Sequence, residues 1–359
     1  MGRARARKCG AGTPDSRARL MIVGVPRETA ARESRVALTP PDVRTLAGSG
    51  IRVVVELGAG ESAGFSDAAY AAAGAFPASC PERVFDGCDV VAWVKPPAYE
   101  LSSMPLRSGH VLLGFQDPVR RRDPIDRLRA RGVESVAFEL ISDPLGRDPL
   151  SAMSGIAGAV AYREGRALAR DALGARLTTV VVGCGHAGLA GMAEAARHGD
   201  RTVAVGSRLH RGPAAIERGA DEFQLAASPE SLDHLLARIS PDLILTAAGR
   251  GTLAPLLLTH RTLARLRPGT VVVDLAGKAG GNCAATYCDD TYTLANGVVI
   301  SHRSNYPADL PHVASRAFGA ASVRILLRLD EFRSAEDFSL SEENSDRYDC
   351  VKMVVSQLN

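Results

Sequence analysis

No charge of either sign dominates this sequence. Its 43 Lys and Arg residues stand against 40 Asp and Glu, a formal balance of +3. Attraction to nucleic acid or to a membrane surface by charge alone is thereby excluded, and a small molecule is the expected partner. The seven cysteines (Cys9, Cys80, Cys88, Cys184, Cys283, Cys288, Cys350) include no CxxC pair and no histidine at zinc spacing. No metal site is expected, and reduced thiols in a cytoplasmic protein fit this usage. Long hydrophobic runs are also missing. The longest uncharged stretch of the central region, Leu177 to Ala193, carries four glycines. A membrane span requires roughly 20 mostly apolar residues, so this one is a buried strand, a turn and the start of a helix. Residues 1–20 are basic without the apolar core of a secretory signal, and are expected to form a disordered extension.

Aromatic residues make up only 5% of the chain, but apolar residues reach 46% of 359. That is enough for a large core divided over two domains. Short β-branched runs alternate with helical patterns: MIVGVP from Met21, IRVVVELG, CDVVAWVK, HVLLGF and VESVAFEL. This is the pattern of a parallel sheet with crossover helices. A long Ala-rich helix from Leu150 to Ala175 then bridges to a second series, TTVVVG, RTVAVG, DLILTAA, GTVVVDLA and GVVI. The spacing predicts an α/β protein of two Rossmann-like, doubly wound domains with the substrate domain discontinuous. The expected segments are the extension at 1–20, the first part of the substrate domain at 21–149, and the dinucleotide-binding domain at 150–299. The chain then returns to the substrate domain at 300–330, and 331–359 forms a tail without predicted structure.

Gly183, Gly185 and Gly188 fit G-x-G-x-x-G, with VVV before them and LAGMAEAARH after them. Strand, turn and helix are thus in place for a pyrophosphate held on backbone N–H groups. His186, Ala187 and, after DLILT, Ala248 are expected beside the nucleotide. The next strand, RTVAVGSR, ends at Gly206, 23 residues beyond Gly183, where NAD-binding units place an acidic ribose ligand. The missing carboxylate, with Ser207, Arg208 and Arg211 following, makes the cofactor NADP or NAD with NADP favoured. Arg35 and Lys95 stand at or just beyond strand or loop ends of the first domain, where two converging cations suit the carboxylate of an amino or oxo acid.

Taken in order, GVPRE, ESRVALTPPDV, ELGAGESAGFSDAAYAAAGA, VAWVKPP, MSGIAG, VGCGHAGLAG and DLAGKAGGNC resemble the family of alanine dehydrogenase and the α subunit of proton-translocating transhydrogenase. The resemblance covers about residues 21–328. It implies a two-domain, commonly oligomeric dehydrogenase that transfers hydride directly to or from nicotinamide, and it places Arg35 and Lys95 on the family's two substrate-carboxylate cations. The chain departs from the family at its acid/base positions. Where alanine dehydrogenases carry a histidine it has Gln116 and Asp117, and where they carry an aspartate it has Lys278. Asp117 and Lys278 are therefore the expected catalytic pair, and alanine is disfavoured as substrate. His302 and His312 flank NYPADLP as alternative sources of the missing imidazole, although satisfied loop or core histidines are the commoner case. The leading expectation is an NAD(P)-dependent oxidoreductase acting on a small amino, oxo or imino acid. One alternative is an α-type transhydrogenase subunit exchanging hydride with a partner, disfavoured by its short loop at 141–149. The other is a nucleotide-binding homologue without catalysis.

Overall fold

The computed structural model describes residues 20–169, 176–226, 228–249 and 253–339. The expected extension, except for Leu20, lies outside the described residues, as do the end of the bridging helix at 170–175 and the tail beyond Ser339.

Six strands form the first sheet: β1 (Ile22–Val25), β2 (Arg52–Glu56), β3 (Phe76–Ala78), β4 (Val90–Ala92), β5 (Val111–Gly114) and β6 (Glu134–Ala137). All pair in parallel, in the order β3-β2-β1-β4-β5-β6. Successive side chains alternate between two cores, which is why these strands read as unbroken apolar runs. Val90, Ala92 and Leu113 join one core, while Val91, Trp93 and Leu112 join the other.

The second sheet contains β7 (Thr178–Val182), β8 (Arg201–Gly206), β9 (Glu222–Leu225), β10 (Leu243–Thr246), β11 (Val271–Asp274), β12 (Thr291–Thr293) and β13 (Val299–Ser301). Its order is β12-β13-β11-β10-β7-β8-β9, with β12 alone antiparallel. Without β12, both sheets share one winding, in which strand order reverses beside the first strand of the unit. Ligands of open α/β sheets bind at that reversal, outside the carboxyl ends of the strands.

Helix α1 (Pro149–Leu168) leads from the first sheet to the second. It starts where Asp148 accepts the Ser151 N–H at 2.8 Å and proline occupies the first turn. Helix α2 (His186–Arg197) follows the glycine turn. The last helix, α3 (Pro311–Ser339), returns to the first core through Phe318 and Leu326, with Phe318 5.4 Å from the Phe138 ring. It runs past Glu331 to Ser339, so the segment expected to lack structure begins as helix. Among the described residues no helix is long and apolar enough to cross a membrane.

Candidate active site

A cleft of about 890 Å³ opens at the reversal point of the second sheet. Its walls include Gly183, Gly185, His186 and Ala187, then Gly206, Ser207, Arg208 and Arg211, then Ala248. The sequence-predicted nucleotide residues are thus brought together, Gly188 lying just behind them in α2. The turn requires glycine twice. Gly183 has φ +108°, and a Cβ there would stand 2.6 Å from the Ala247 carbonyl oxygen. A Cβ on Gly188 would stand 1.8 Å from the Gly183 oxygen. At Gly185, by contrast, nothing lies within 4 Å of a Cβ position. The backbone therefore offers an open face there, and the first turn of α2 has no side-chain cap. Uncapped N–H groups beside an open glycine suit a pyrophosphate.

The far end of β8, at Gly206, carries no carboxylate. Ser207, Arg208 and Arg211 all border the cleft, and among the described residues neither guanidinium has an ion-pair partner. The opposite wall is set by a residue that sequence reasoning quoted but gave no role. Asn282 is fully buried, accepts the Ala248 N–H at 3.0 Å and donates to the carbonyls of Ala248 and Pro255, both at 2.8 Å. Ala248 therefore contributes its surface, its N–H being taken. Asp274, at the end of β11, holds this turn by accepting from the N–H groups of Asn282 and Ala276, both at 2.9 Å, and from the Thr286 hydroxyl at 2.8 Å.

The reversal point of the first sheet gathers Arg35 and Lys95, which converge on one carboxylate of the protein itself. Glu33 takes Nε and an Nη of Arg35 at 2.6 Å each, and its Oε2 lies 3.5 Å from Lys95 Nζ. Arg35 is also bonded to Asn305 Oδ1 at 2.8 Å and is almost fully buried. The Arg35–Glu33 unit is therefore closed on itself, and Lys95, with its side chain 24% exposed, is the more accessible of the two cations. Burial is the main cause that brings the Lys95 ammonium down to about 8, the Glu33 charge opposing it. Behind it, Glu28 is pushed up to about 8, chiefly by burial, while accepting the backbone N–H groups of Val94 at 2.5 Å and Lys95 at 3.1 Å. Neither glutamate was singled out from sequence, because buried carboxylates bonded to distant backbone leave no periodic signal.

The expected Asp117–Lys278 pair does not form. Asp117 sits at φ +50°, its N–H donated to Glu139 at 2.8 Å, and Arg120 lies 3.8 Å from its carboxylate. The same Arg120 donates across to the Lys278 carbonyl at 2.7 Å, so a guanidinium intervenes. Lys278 is exposed on the turn after β11, whereas Lys95 is half-buried. His302 packs edge-on to that turn, a Cβ on Gly277 falling 2.2 Å from its ring. It is 3% exposed, accepts the Asp289 N–H at 2.9 Å and has its pKa lowered by burial. His312 stacks on Phe65 at 4.5 Å, with Nδ1 3.0 Å from the Ala63 oxygen. Both histidines are accounted for by packing. Trp93 is core, 1% exposed, and bonds the Phe115 oxygen at 3.2 Å.

Comparisons with known proteins agree with this architecture. The model of the alanine dehydrogenase/PNT N-terminal domain matches residues 24–157, and that of the C-terminal domain matches residues 164–347. The NAD(P) transhydrogenase subunit alpha of Cereibacter sphaeroides is 32% identical over 86% of the chain, which spans 65% of that relative's length. Alanine dehydrogenase of Bacillus subtilis is 30% identical over 86% of this chain and 85% of its own. A solved transhydrogenase structure from Sinorhizobium meliloti superposes with a TM-score of 0.76 at 28% identity, covering 85% of this chain and 93% of that one. These relatives are named as transhydrogenases and an alanine dehydrogenase, and this chain belongs to the alanine dehydrogenase/PNT family.

Proposed function

We propose that the chain is an NADP-preferring oxidoreductase that exchanges hydride with a small carboxylic acid bearing an amino, oxo or imino group. The observation that carries this reading is the end of β8 at Gly206, where no carboxylate stands and two guanidiniums without an ion-pair partner among the described residues, Arg208 and Arg211, border the cleft. A 2′-phosphate fits such a rim, whereas a bare ribose diol would find no acceptor pair. The uncapped start of α2 and the Gly183–Ala187 backbone would hold the pyrophosphate. Bound there, the nicotinamide would supply or accept the hydride. Lys95, oriented by the Arg35–Glu33 unit, would hold the substrate carboxylate as a point charge. The cleft between the two sheets would keep water from the reacting carbon.

A second reading is hydride exchange with a nucleotide on a partner protein. It is supported by Leu145, 72% exposed on the short 142–148 segment that borders the cleft. The two readings separate in one assay. Oxidation of NADPH that requires an added oxo acid, with ammonium present as the nitrogen source for an amino product, supports the first, and oxidation that proceeds with an oxidised nucleotide analogue alone supports the second. Oxidation with neither refutes both.

A further inference from the structure

The titratable side chains that line the nucleotide cleft are Asp143, Cys184, His186, Arg208 and Arg211. The two guanidiniums are charged throughout. Asp143 stays ionised: burial opposes its charge, but Oδ2 accepts from Arg147 Nε at 2.8 Å and Oδ1 from the Leu145 N–H at 2.7 Å, which holds it below the usual carboxylate range. Burial pushes the Cys184 thiol up, so it stays neutral. His186 is left as the lining group of the type that changes charge between about pH 5 and 8.

Its place is fixed from two sides. His186 opens α2 directly after Gly185, whose Cβ position meets nothing within 4 Å. On the other side stands Gly146 of the 142–148 segment, at φ +68°, where a Cβ would fall 2.3 Å from His186 Nε2. The imidazole is thus held between that segment and the glycine turn, exposed, and among the described residues it has no hydrogen bond or ion pair. The charges of the segment are engaged elsewhere: Asp143 with Arg147 and, at 3.9 Å, with Arg324, and Asp148 with Ser151 at the start of α1. His210 lies between Arg208 and Arg211 in sequence but does not line the cleft.

A diphosphate seated on the uncapped start of α2 brings two negative charges beside this ring. An opposite charge within about 4–6 Å favours the charged form of a titratable group. From this juxtaposition we infer that His186 is a ligand of the nucleotide's diphosphate as its imidazolium, so that nucleotide binding takes up a proton at this side chain. The inference rests on the nucleotide-binding part of the proposed function and deepens it. Its sign is fixed: the His186 contribution is present at low pH and is lost as pH rises and the imidazole becomes neutral.

The test is titration of the full chain and of His186→Gln with NADPH at pH 6, 7 and 8, across the range in which imidazole changes charge. The 2′-phosphate also titrates there, but equally in both proteins, so the ratio of their dissociation constants isolates the imidazole. Weaker binding by His186→Gln, about tenfold at pH 6 and within about twofold at pH 8, is expected. Calorimetry at neutral pH in MOPS and in Tris, whose ionisation heats differ, should show more proton uptake by the parent chain than by His186→Gln. His210→Gln should behave as the parent. A ratio unchanged between the extremes of pH, equal proton uptake in the two proteins, or the same loss in His210→Gln overturns the inference and leaves the nucleotide reading standing. Failure of NADPH to bind the parent chain at any of these pH values would remove that reading and the inference with it.

Discussion

Replacing Gly206 by aspartate restores the carboxylate that the end of β8 lacks, and its effect can be worked from the surroundings. A Cβ at Gly206 would lie 2.9 Å from the Phe223 ring and 3.5 Å from Cys184 Sγ, so the phenyl ring must yield. Overpacking of this kind costs about 1–3 kcal/mol. A carboxylate accepting from both ribose hydroxyls gains about 1.5–3 kcal/mol for each hydrogen bond to a charged group. After the ring has shifted, a net gain for NADH of about 2.5 kcal/mol remains. The same carboxylate opposes a 2′-phosphate. Two unit charges 4 Å apart interact by about 4 kcal/mol at an effective dielectric of 20, and half of that survives in an open cleft. The swing in preference from NADPH to NADH is then about 4.5 kcal/mol, or roughly 1,600-fold at 1.4 kcal/mol per factor of ten. Nucleotide fluorescence titrations of Gly206→Asp, alone and with Phe223→Leu to relieve the ring, measure it. If the ratio of NADPH to NADH affinity stays within about twofold of the parent chain in both variants, β8 does not end at the ribose.

Gly188→Ala should abolish nucleotide binding and lower the melting temperature, since its Cβ would meet the Gly183 oxygen at 1.8 Å; calorimetry checks both. Glu28→Ala leaves the buried N–H groups of Val94 and Lys95 without their acceptor and should destabilise the protein by about 2–5 kcal/mol in urea titrations. Glu28→Gln keeps an acceptor and should lose far less. The folded pKa of Glu28, about 8, lies above its ordinary value, so its contribution to stability is fully present below about pH 4.5 and is lost as pH rises through 8. Glu28→Gln should flatten that part of the stability profile. Lys95 works in the binding direction: its ammonium titrates near 8, so affinity for a carboxylate should fall as pH rises past that value. Lys95→Arg, always charged, should shift the fall to higher pH.

Most of the fold was legible because buried parallel strands leave continuous β-branched runs, as in IRVVVELG and TTVVVG, and because the glycine turn repeats a steric requirement in fixed spacing. The strands that were not read are β3, β9 and β12, sequences FPA, EFQL and TYT. They lie at sheet edges, where a proline is tolerated and polar residues face solvent, so no apolar run marks them. The candidate nucleotide rim is marked in the sequence by the lack of a carboxylate at Gly206. The substrate side was legible only in its cations. Arg35 and Lys95 do meet, but Glu33 stands between them, two residues from Arg35 in sequence and indistinguishable there from a solvated loop glutamate. Asp117 and Lys278 were joined by the chemistry expected of them, whereas the chain sets Arg120 between Asp117 and the Lys278 turn. Which of several nearby charges pair is decided by backbone placement, here by the left-handed conformation of Asp117 and its bond to Glu139.

The measurement that bears most directly on the proposed function is a pair of equilibrium titrations of the full chain with NADPH and NADH, followed by nucleotide emission at constant ionic strength. Tighter binding of NADPH, by about tenfold or 1.4 kcal/mol and lost on Arg208→Ala with Arg211→Ala, is the predicted result. Equal or tighter binding of NADH, or a preference for NADPH that survives loss of both arginines, would contradict it.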